Sequence, residues 1–393
     1  MCKKRVLFFA MSDSVHAVRW ISQITDIGWD VRVFPCEHSS IHPDFNDVVI
    51  YEYMRSRNAH VRAKRKGFYI HSYFIKTLLL LIIKRLRPHY YRSYLLSVIK
   101  KFKPDVIHSL ETQHSGYLAM EAIKCISGHR PTWVHTNWGS DIYLFGRFDE
   151  HSEKITELLK ACDYYTCECR RDIALAKEFG YSGKFFPVYP NSGGLDLGFI
   201  EPVRKNVLPS QRKVIMLKGY QGITGRGLVA IRALSRVKDL LGGYKIIIHS
   251  NPDGQDVYIA AKLLEQDAQV EVEILPFVSH KKILEYHGQS RISIGLSVSD
   301  AISTSLIEAM AMGSFPIQSF TSAADEWIID GETGILVHPE DPEDVERALR
   351  TALIGDDMVD DASEKNWNTI TARLDCHVLK KKTIDMYKSI MNT

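Results

Sequence analysis

The chain has 393 residues, 45% of them hydrophobic and 25% charged, the composition of an ordinary soluble globular protein too long for a single core. Seven cysteines without a C-x-x-C pair exclude a disulfide scaffold and a zinc module, since Cys162, Cys167 and Cys169 lack a second pair at finger spacing; a reduced, cytoplasmic chain fits best. The net charge of +3 hides an asymmetry: residues 53–104 hold fourteen Lys or Arg and no Asp or Glu, which leaves the remainder acidic.

The first element, RVLFFA, is read as a β-strand, because the apolar run before Asp13 is too short for a signal peptide. The turn after it, SDSVHAVRW, carries His16 and leads into an amphipathic stretch, HAVRWISQITDIG. DVRVFP is the second expected strand. The basic segment follows, its cations interleaved with aromatic and aliphatic residues in KGFYIHSYFIKTLLLLIIKRLRPHYYRSYLLSVIKKFK. Its longest apolar run, Thr77 to Ile83, is far short of the roughly 20 residues that span a bilayer. A basic amphipathic segment suits an anionic membrane surface, a plain solvated face, or nucleic acid; no nucleic-acid module accompanies it, so membrane is expected and nucleic acid is not.

DVIHS, TWVHT and YYTCE complete the expected strands of the first half. Residues 187–210, rich in Pro and Gly, are read as a linker. Beyond it KVIMLKG, YKIIIHS, VEVEIL, RISIGLS, FPIQS and GILVH alternate with helical patterns such as PEDVERALRTALIG. Alternating strands and helices predict parallel sheets with helices on both faces, an α/β chain of two Rossmann-like, doubly wound domains facing an interdomain cleft. The expected boundaries are 1–195, 196–375, and a C-terminal helix over 376–393 that either half could receive. Such an architecture favours an enzyme or nucleotide-binding protein over a scaffold.

Two places in the second half carry candidate chemistry. After the strand ending near Lys218 comes a glycine-rich turn (Gly219, Gly222, Gly225, Gly227) and a helix beginning near Arg226. Close backbone approach, free N–H donors and two cations together suit a diphosphate, although neither G-x-x-x-x-G-K-[ST] nor G-x-G-x-x-G is present. The second place is SVSDAISTSLIEAMAMG. Ser305-x-x-Glu308 has the form of a capping box and Asp300 that of a turn aspartate. The alternative is that two carboxylates, one at a strand end and one in the following helix, accept paired hydrogen bonds from sugar hydroxyls on either side of a diphosphate.

The run from Ser299 to Val345 resembles the signature region of the retaining family 4 glycosyltransferases (glycosyl transferases group 1), which have the GT-B fold. Their E-x7-E motif stands here as Asp300-x7-Glu308, followed by E-A-M-A-x-G and a later E-x-I-x-D-G-x-T-G pattern. The resemblance is specific over about 213–345 and looser in the first half, at NWGSDIYLFGRFDE, ACDYYTCECRRDIALAKEFG and PNSGGLDL. It implies that Glu308 binds the donor ribose, and that Asp300 and the backbone of Ile302, Ser303 and Thr304 hold the transferred sugar and phosphate. It also implies catalytic roles for Lys218 and Arg226, with Gly219 beside the donor.

This chain departs from the family's pattern in four ways. The first acid is Asp instead of Glu, and the two cations stand as Lys then Arg instead of Arg then Lys. Trp138 occupies the usual place of His before Gly139-Ser140-Asp141, leaving His135 as a substitute. The N-terminal glycine pair is replaced by the turn bearing His16. Acceptor-side candidates are therefore His16, His135, Trp138 and Asp141.

The implied reaction is metal-independent and needs no cofactor. No D-x-D stands in a metal-ready loop, and Asp356-Asp357, Asp360-Asp361 and DPED read as solvated charge. The implied donor is a UDP- or GDP-linked sugar. The acceptor is a saccharide or a polyprenyl-linked glycan in polysaccharide or glycan assembly, met at the inner face of the cell membrane. A GT-B isomerase or sugar phosphorylase would use the same residues and differs in its need for an acceptor. A basic peripheral membrane protein with an inactive cleft would bind vesicles without turning over nucleotide sugar.

Overall fold

The computed structural model describes residues 3–56, 61–128, 130–190, 192–204, 207–250 and 254–392. Arg57 of the basic segment and Asn191, Lys205 and Asn206 of the expected linker lie outside the described residues. The chain divides into two compact units, residues 1–193 with 377–393, and residues 194–376.

The first unit is built on eight strands, β1 (Arg5–Ala10), β2 (Asp30–Pro35), β3 (Val49–Arg55), β4 (Lys64–Tyr69), β5 (Val106–Leu110), β6 (Thr132–Thr136), β7 (Tyr164–Thr166) and β8 (Lys184–Phe185). They form one parallel sheet in the order β4-β3-β2-β1-β5-β6-β7-β8. Central strands such as β5 are buried along their whole length. Helices cover both faces of the sheet, so its strands read as continuous apolar runs instead of alternating ones. Leu7, Phe9, Ile107, Trp133 and Leu158 lie in the core of one face. The terminal helix Cys376–Met391 belongs to this unit: Trp20 donates to the Tyr387 hydroxyl at 3.0 Å, and Tyr387 donates on to His108 Nδ1 at 2.5 Å.

β3, β4 and β8 are absent from the sequence reading. β4, KRKGFY, carries too many cations to look like a strand, yet an edge position tolerates them because lysine there discourages further pairing. The basic segment is therefore not one amphipathic stretch. It is an edge strand followed by helices Tyr73–Leu86 and Tyr90–Phe102. Arg65 faces inward, its guanidinium donating to both oxygens of Glu52 at 2.6 and 2.8 Å and to the Ser56 carbonyl at 2.8 Å.

The second unit holds β9 (Val214–Lys218), β10 (Lys245–His249), β11 (Glu271–Ile274), β12 (Ser290–Gly295), β13 (Phe315–Ser319) and β14 (Ile335–Val337). All pairs are parallel, in the order β11-β10-β9-β12-β13-β14. Strand order reverses between β9 and β12, the switch point at whose carboxyl ends open α/β sheets bind ligands. Ile215, Leu217, Ile292, Ile294 and Ile317 fill the core beneath it.

Part of the acidic tail region is structural, not merely solvated. Asp360 accepts from the N–H and hydroxyl of Ser210 at 2.8 and 2.7 Å, and Asp341 of DPED caps the helix Pro342–Ile354. Asp356 pairs at 2.7 Å with Arg291, whose side chain is almost wholly buried.

Candidate donor site

β9 ends on Lys218, and the loops that follow β9 and β12 lie against each other at the switch point. Arg226 N–H donates to the Leu296 carbonyl at 3.0 Å, and Val298 N–H to that of Thr224 at 2.8 Å. The turn is possible only because Gly225 has no side chain, since a Cβ there would lie 2.2 Å from the Tyr220 carbonyl oxygen.

Into this place project three of the expected groups. Lys218 Nζ lies 3.4 Å from Ser303 Oγ and 3.9 Å from Asp300 Oδ2. Asp300 also accepts its neighbour's N–H, from Ala301 at 2.9 Å, as a turn aspartate does. Ser303 is the N-cap of the helix Thr304–Ala311 but makes no side-chain cap bond. Its hydroxyl turns toward Lys218, leaving the first N–H groups of that helix without the usual side-chain acceptor. Ile302, Ser303 and Thr304 thus stand at an uncapped helix start carrying about half a positive charge.

The capping box is not formed. Ser305 lies inside the helix, and the Glu308 carboxylate accepts from His280 Nε2–H at 2.7 Å. Glu308 is only 5% exposed, while His280, first residue of the helix His280–His287, is partly open. Sequence reasoning passed over His280; its one signal was Ser279, a helix cap that set the histidine at the head of the helix. Arg226 is held otherwise than Lys218. It pairs with Glu340 at 2.9 Å and donates to the carbonyls of Gly222 and Gly225 at 3.1 and 2.8 Å. Glu340 was likewise unforeseen.

Beside Lys218 opens a cavity of about 770 Å³ at the ends of β9, β10 and β11, lined by Tyr220, His249, Ser250, Phe277 and Val278 among others. Gly219 stands at its edge, its N–H donating to the His249 carbonyl at 2.7 Å. Burial, and then the charge of Lys218, hold His249 down at about 4, so its imidazole is neutral.

The four acceptor-side candidates meet in the first unit, at the ends of β1, β5 and β6. The His16 and Trp138 rings touch edge to face at 5.9 Å between centroids. Trp138 N–H donates to Asp141 Oδ1 at 2.9 Å, and Thr112 donates to Asp141 Oδ2 through both N–H and hydroxyl. His135 completes the chain, with Nε2 at 3.0 Å from Thr112 Oγ1 and Nδ1 at 2.9 Å from Ser109 Oγ. His135 and Asp141 are buried, whereas His16 and Trp138 are the partly exposed pair. Burial pushes Asp141 up to about 7, helped by the nearby charge of Glu111, and pulls His135 down to about 3. Glu111 was not singled out in the sequence. It directly follows β5 with φ at 81° and spends its carboxylate on the N–H groups of Gln113, His114 and Ser115.

Two family profiles match the chain: Glycosyl transferases group 1 over residues 211–368 and Glycosyl transferase 4-like over residues 5–166. No curated protein matches it at the sequence level. Among solved structures, a sucrose-phosphate synthase from Thermosynechococcus elongatus superposes with a TM-score of 0.73 at 13% identity, covering 99% of this chain and 100% of that one. HepE from Anabaena, in complex with UDP-glucose, gives 0.69 at 13% identity over 98% and 99%. A glycosyltransferase from Rickettsia africae gives 0.66 at 15% identity over 100% and 99%. At these identities the likeness is one of fold.

Proposed function

Because the chain belongs to the group 1 glycosyltransferases and has their GT-B fold, we propose that it moves a hexosyl unit from a UDP- or GDP-linked sugar to a saccharide or polyprenyl-linked glycan, with retention and without a metal. The observation that carries this reading is the gathering of Lys218, Asp300 and Ser303 at the uncapped start of the helix Thr304–Ala311. The solved HepE structure holds UDP-glucose, which supports the donor class.

In this reading the nucleoside lies along the cavity beside Phe277 and Val278, and its ribose hydroxyls donate to the carboxylate that His280 holds. The diphosphate meets Lys218 and the helix N–H groups, with Gly219 allowing close backbone approach. Asp300 accepts from hydroxyls of the transferred sugar. As the bond between the anomeric carbon and the phosphate oxygen breaks, negative charge grows on that oxygen. Fixed cations and N–H dipoles stabilise it without reorganising. The acceptor hydroxyl forms the new bond on the same face, and its proton passes to the departing phosphate oxygen. Arg226 adds a second cation once phosphate competes with Glu340. On the acceptor side His16 and Trp138 offer rings, while His135 and Asp141 brace the loop beneath them. The role is polysaccharide or glycan assembly at the inner membrane face.

The test is a thermal-shift screen of the full chain against UDP- and GDP-linked sugars, followed by NMR of the product made with a saccharide acceptor. Stabilisation by at least one donor and an anomeric configuration matching the donor are expected. An inverted product, or sugar turnover that proceeds without acceptor, would sink the reading.

A further inference from the structure

The helix Tyr73–Leu86 buries none of its residues, although ten of its fourteen are apolar or aromatic. Lys76, Leu79, Leu80 and Ile83, at helical spacing, form its half-covered inner stripe. The outer face carries Phe74, Ile75, Leu78, Leu81 and Ile82, each between 44% and 75% exposed, with Leu86 following. A helix apolar on all sides is normally enclosed. Edge strand β4, next before it, adds exposed Phe68 and Tyr69. Patches of this kind on a monomer mark an interaction surface.

The surrounding charge identifies the occupant. Lys64, Lys66, Lys84, Arg85 and Arg87 are exposed around this apolar face, inside a segment of fourteen cations with no acid. A second copy would meet the face through a twofold axis, setting the same cations against each other. An anionic lipid surface pairs with them instead. A fourteen-residue helix is about 21 Å long, and no described helix is long and apolar enough to cross a membrane. It therefore fits the interface plane, with apolar side chains at the level of the acyl boundary and cations among the phosphates.

We propose that β4 and the helix Tyr73–Leu86 form an in-plane anchor: the outer apolar face enters an anionic bilayer, and Lys64, Lys66, Lys84, Arg85 and Arg87 meet its headgroups. Apolar burial and cation pairing then contribute separately, and only the second is screened by salt.

The test is flotation of the full chain with vesicles of phosphatidylcholine alone and of phosphatidylcholine mixed with phosphatidylglycerol. The parent chain binds the mixed vesicles at least about tenfold more tightly, with strong salt dependence. Phe74→Ser/Leu78→Ser/Leu81→Ser lowers binding by about tenfold or more at every salt concentration. Lys84→Gln/Arg85→Gln/Arg87→Gln lowers it at low salt only. All three positions in each variant are exposed, so melting temperature and nucleotide binding stay those of the parent, which separates anchoring from catalysis. Three outcomes overturn the proposal: no preference for anionic vesicles, an apolar variant that floats like the parent, or a parent dimer in solution that the apolar variant converts to monomer.

Discussion

His280 donates through Nε2 to Glu308 Oε1 at 2.7 Å across a separation of 28 positions. The bond joins the head of the helix after β11 to the second turn of the helix after β12, and leaves Glu308 Oε2 for another donor. Replacing Glu308 by Gln keeps an oxygen for His280, so the melting temperature without ligand should be unchanged. A ribose hydroxyl, however, loses a charged acceptor, a bond that contributes roughly 1.5–3 kcal/mol. Calorimetric titration with nucleoside diphosphate should show at least about tenfold weaker binding. The 2′-deoxy or 3′-deoxy nucleotide should lose affinity against the parent and much less against the variant. Parent-like affinity in E308Q would reduce the carboxylate to a packing role.

The histidine itself can be read apart from the acid. His280→Ala removes a donor from a buried carboxylate, and a net hydrogen bond contributes about 1 kcal/mol. Donor KM should rise by about fivefold with kcat little changed, because His280 acts through Glu308 and not on the reacting atoms. His280→Gln, whose amide can donate, should restore most of the difference. A fall in kcat at constant KM would contradict this positioning role.

Lys218→Ala and Arg226→Ala should each lower turnover by about two to three orders of magnitude, the usual cost of removing a group that stabilises developing charge. Arg226 also bonds the carbonyls of Gly222 and Gly225, so its variant should in addition loosen the turn and melt earlier. Steady-state rates within tenfold of the parent for both variants would take them off the diphosphate.

Chelator should leave activity largely intact, since fixed cations and a helix start are asked to do what a metal does elsewhere. Initial rates with and without EDTA decide this. Abolition by EDTA and recovery on adding Mg²⁺ or Mn²⁺ would refute a metal-free transfer.

Stability should fall on mild acidification. Burial holds His135 at about 3 and His249 at about 4, below the ordinary histidine range. Both native values are depressed, so these two side chains bind fewer protons in the folded chain than in the unfolded one, an effect that Asp141, raised to about 7, opposes for one proton. The stabilisation is complete above the unfolded value of about 6.5 and is lost as pH falls from there toward 4 and 3. Each histidine contributes a slope of up to about 1.4 kcal/mol per pH unit. Urea unfolding at about pH 7.5 and about pH 5 should show the loss. Equal stability at both would mean these imidazoles ionise in place.

Much of this protein is written in local pattern. Runs such as VLFFA and VIML are apolar throughout because both faces of a parallel strand are covered, and that pattern announces a doubly wound α/β chain. Lys218, the glycine turn and the Asp300-x7-Glu308 spacing could also be read, since a strand end followed by a helix start puts its polar groups at one edge of a sheet. Pairings between distant segments could not. Ser305 and Glu308 have the spacing of a capping box, yet Glu308 is turned to His280, because the helix begins two residues earlier than the motif assumes and another helix end packs nearby. Likewise KRKGFY reads as surface charge until β3 supplies the edge it joins, whereupon Arg65 pairs inward with Glu52 and the helix Tyr73–Leu86 is left with an uncovered apolar face. Residue type and period set which segments become strands and helices; which side chain meets which is decided by strand order and packing, which depend on contacts no single segment contains.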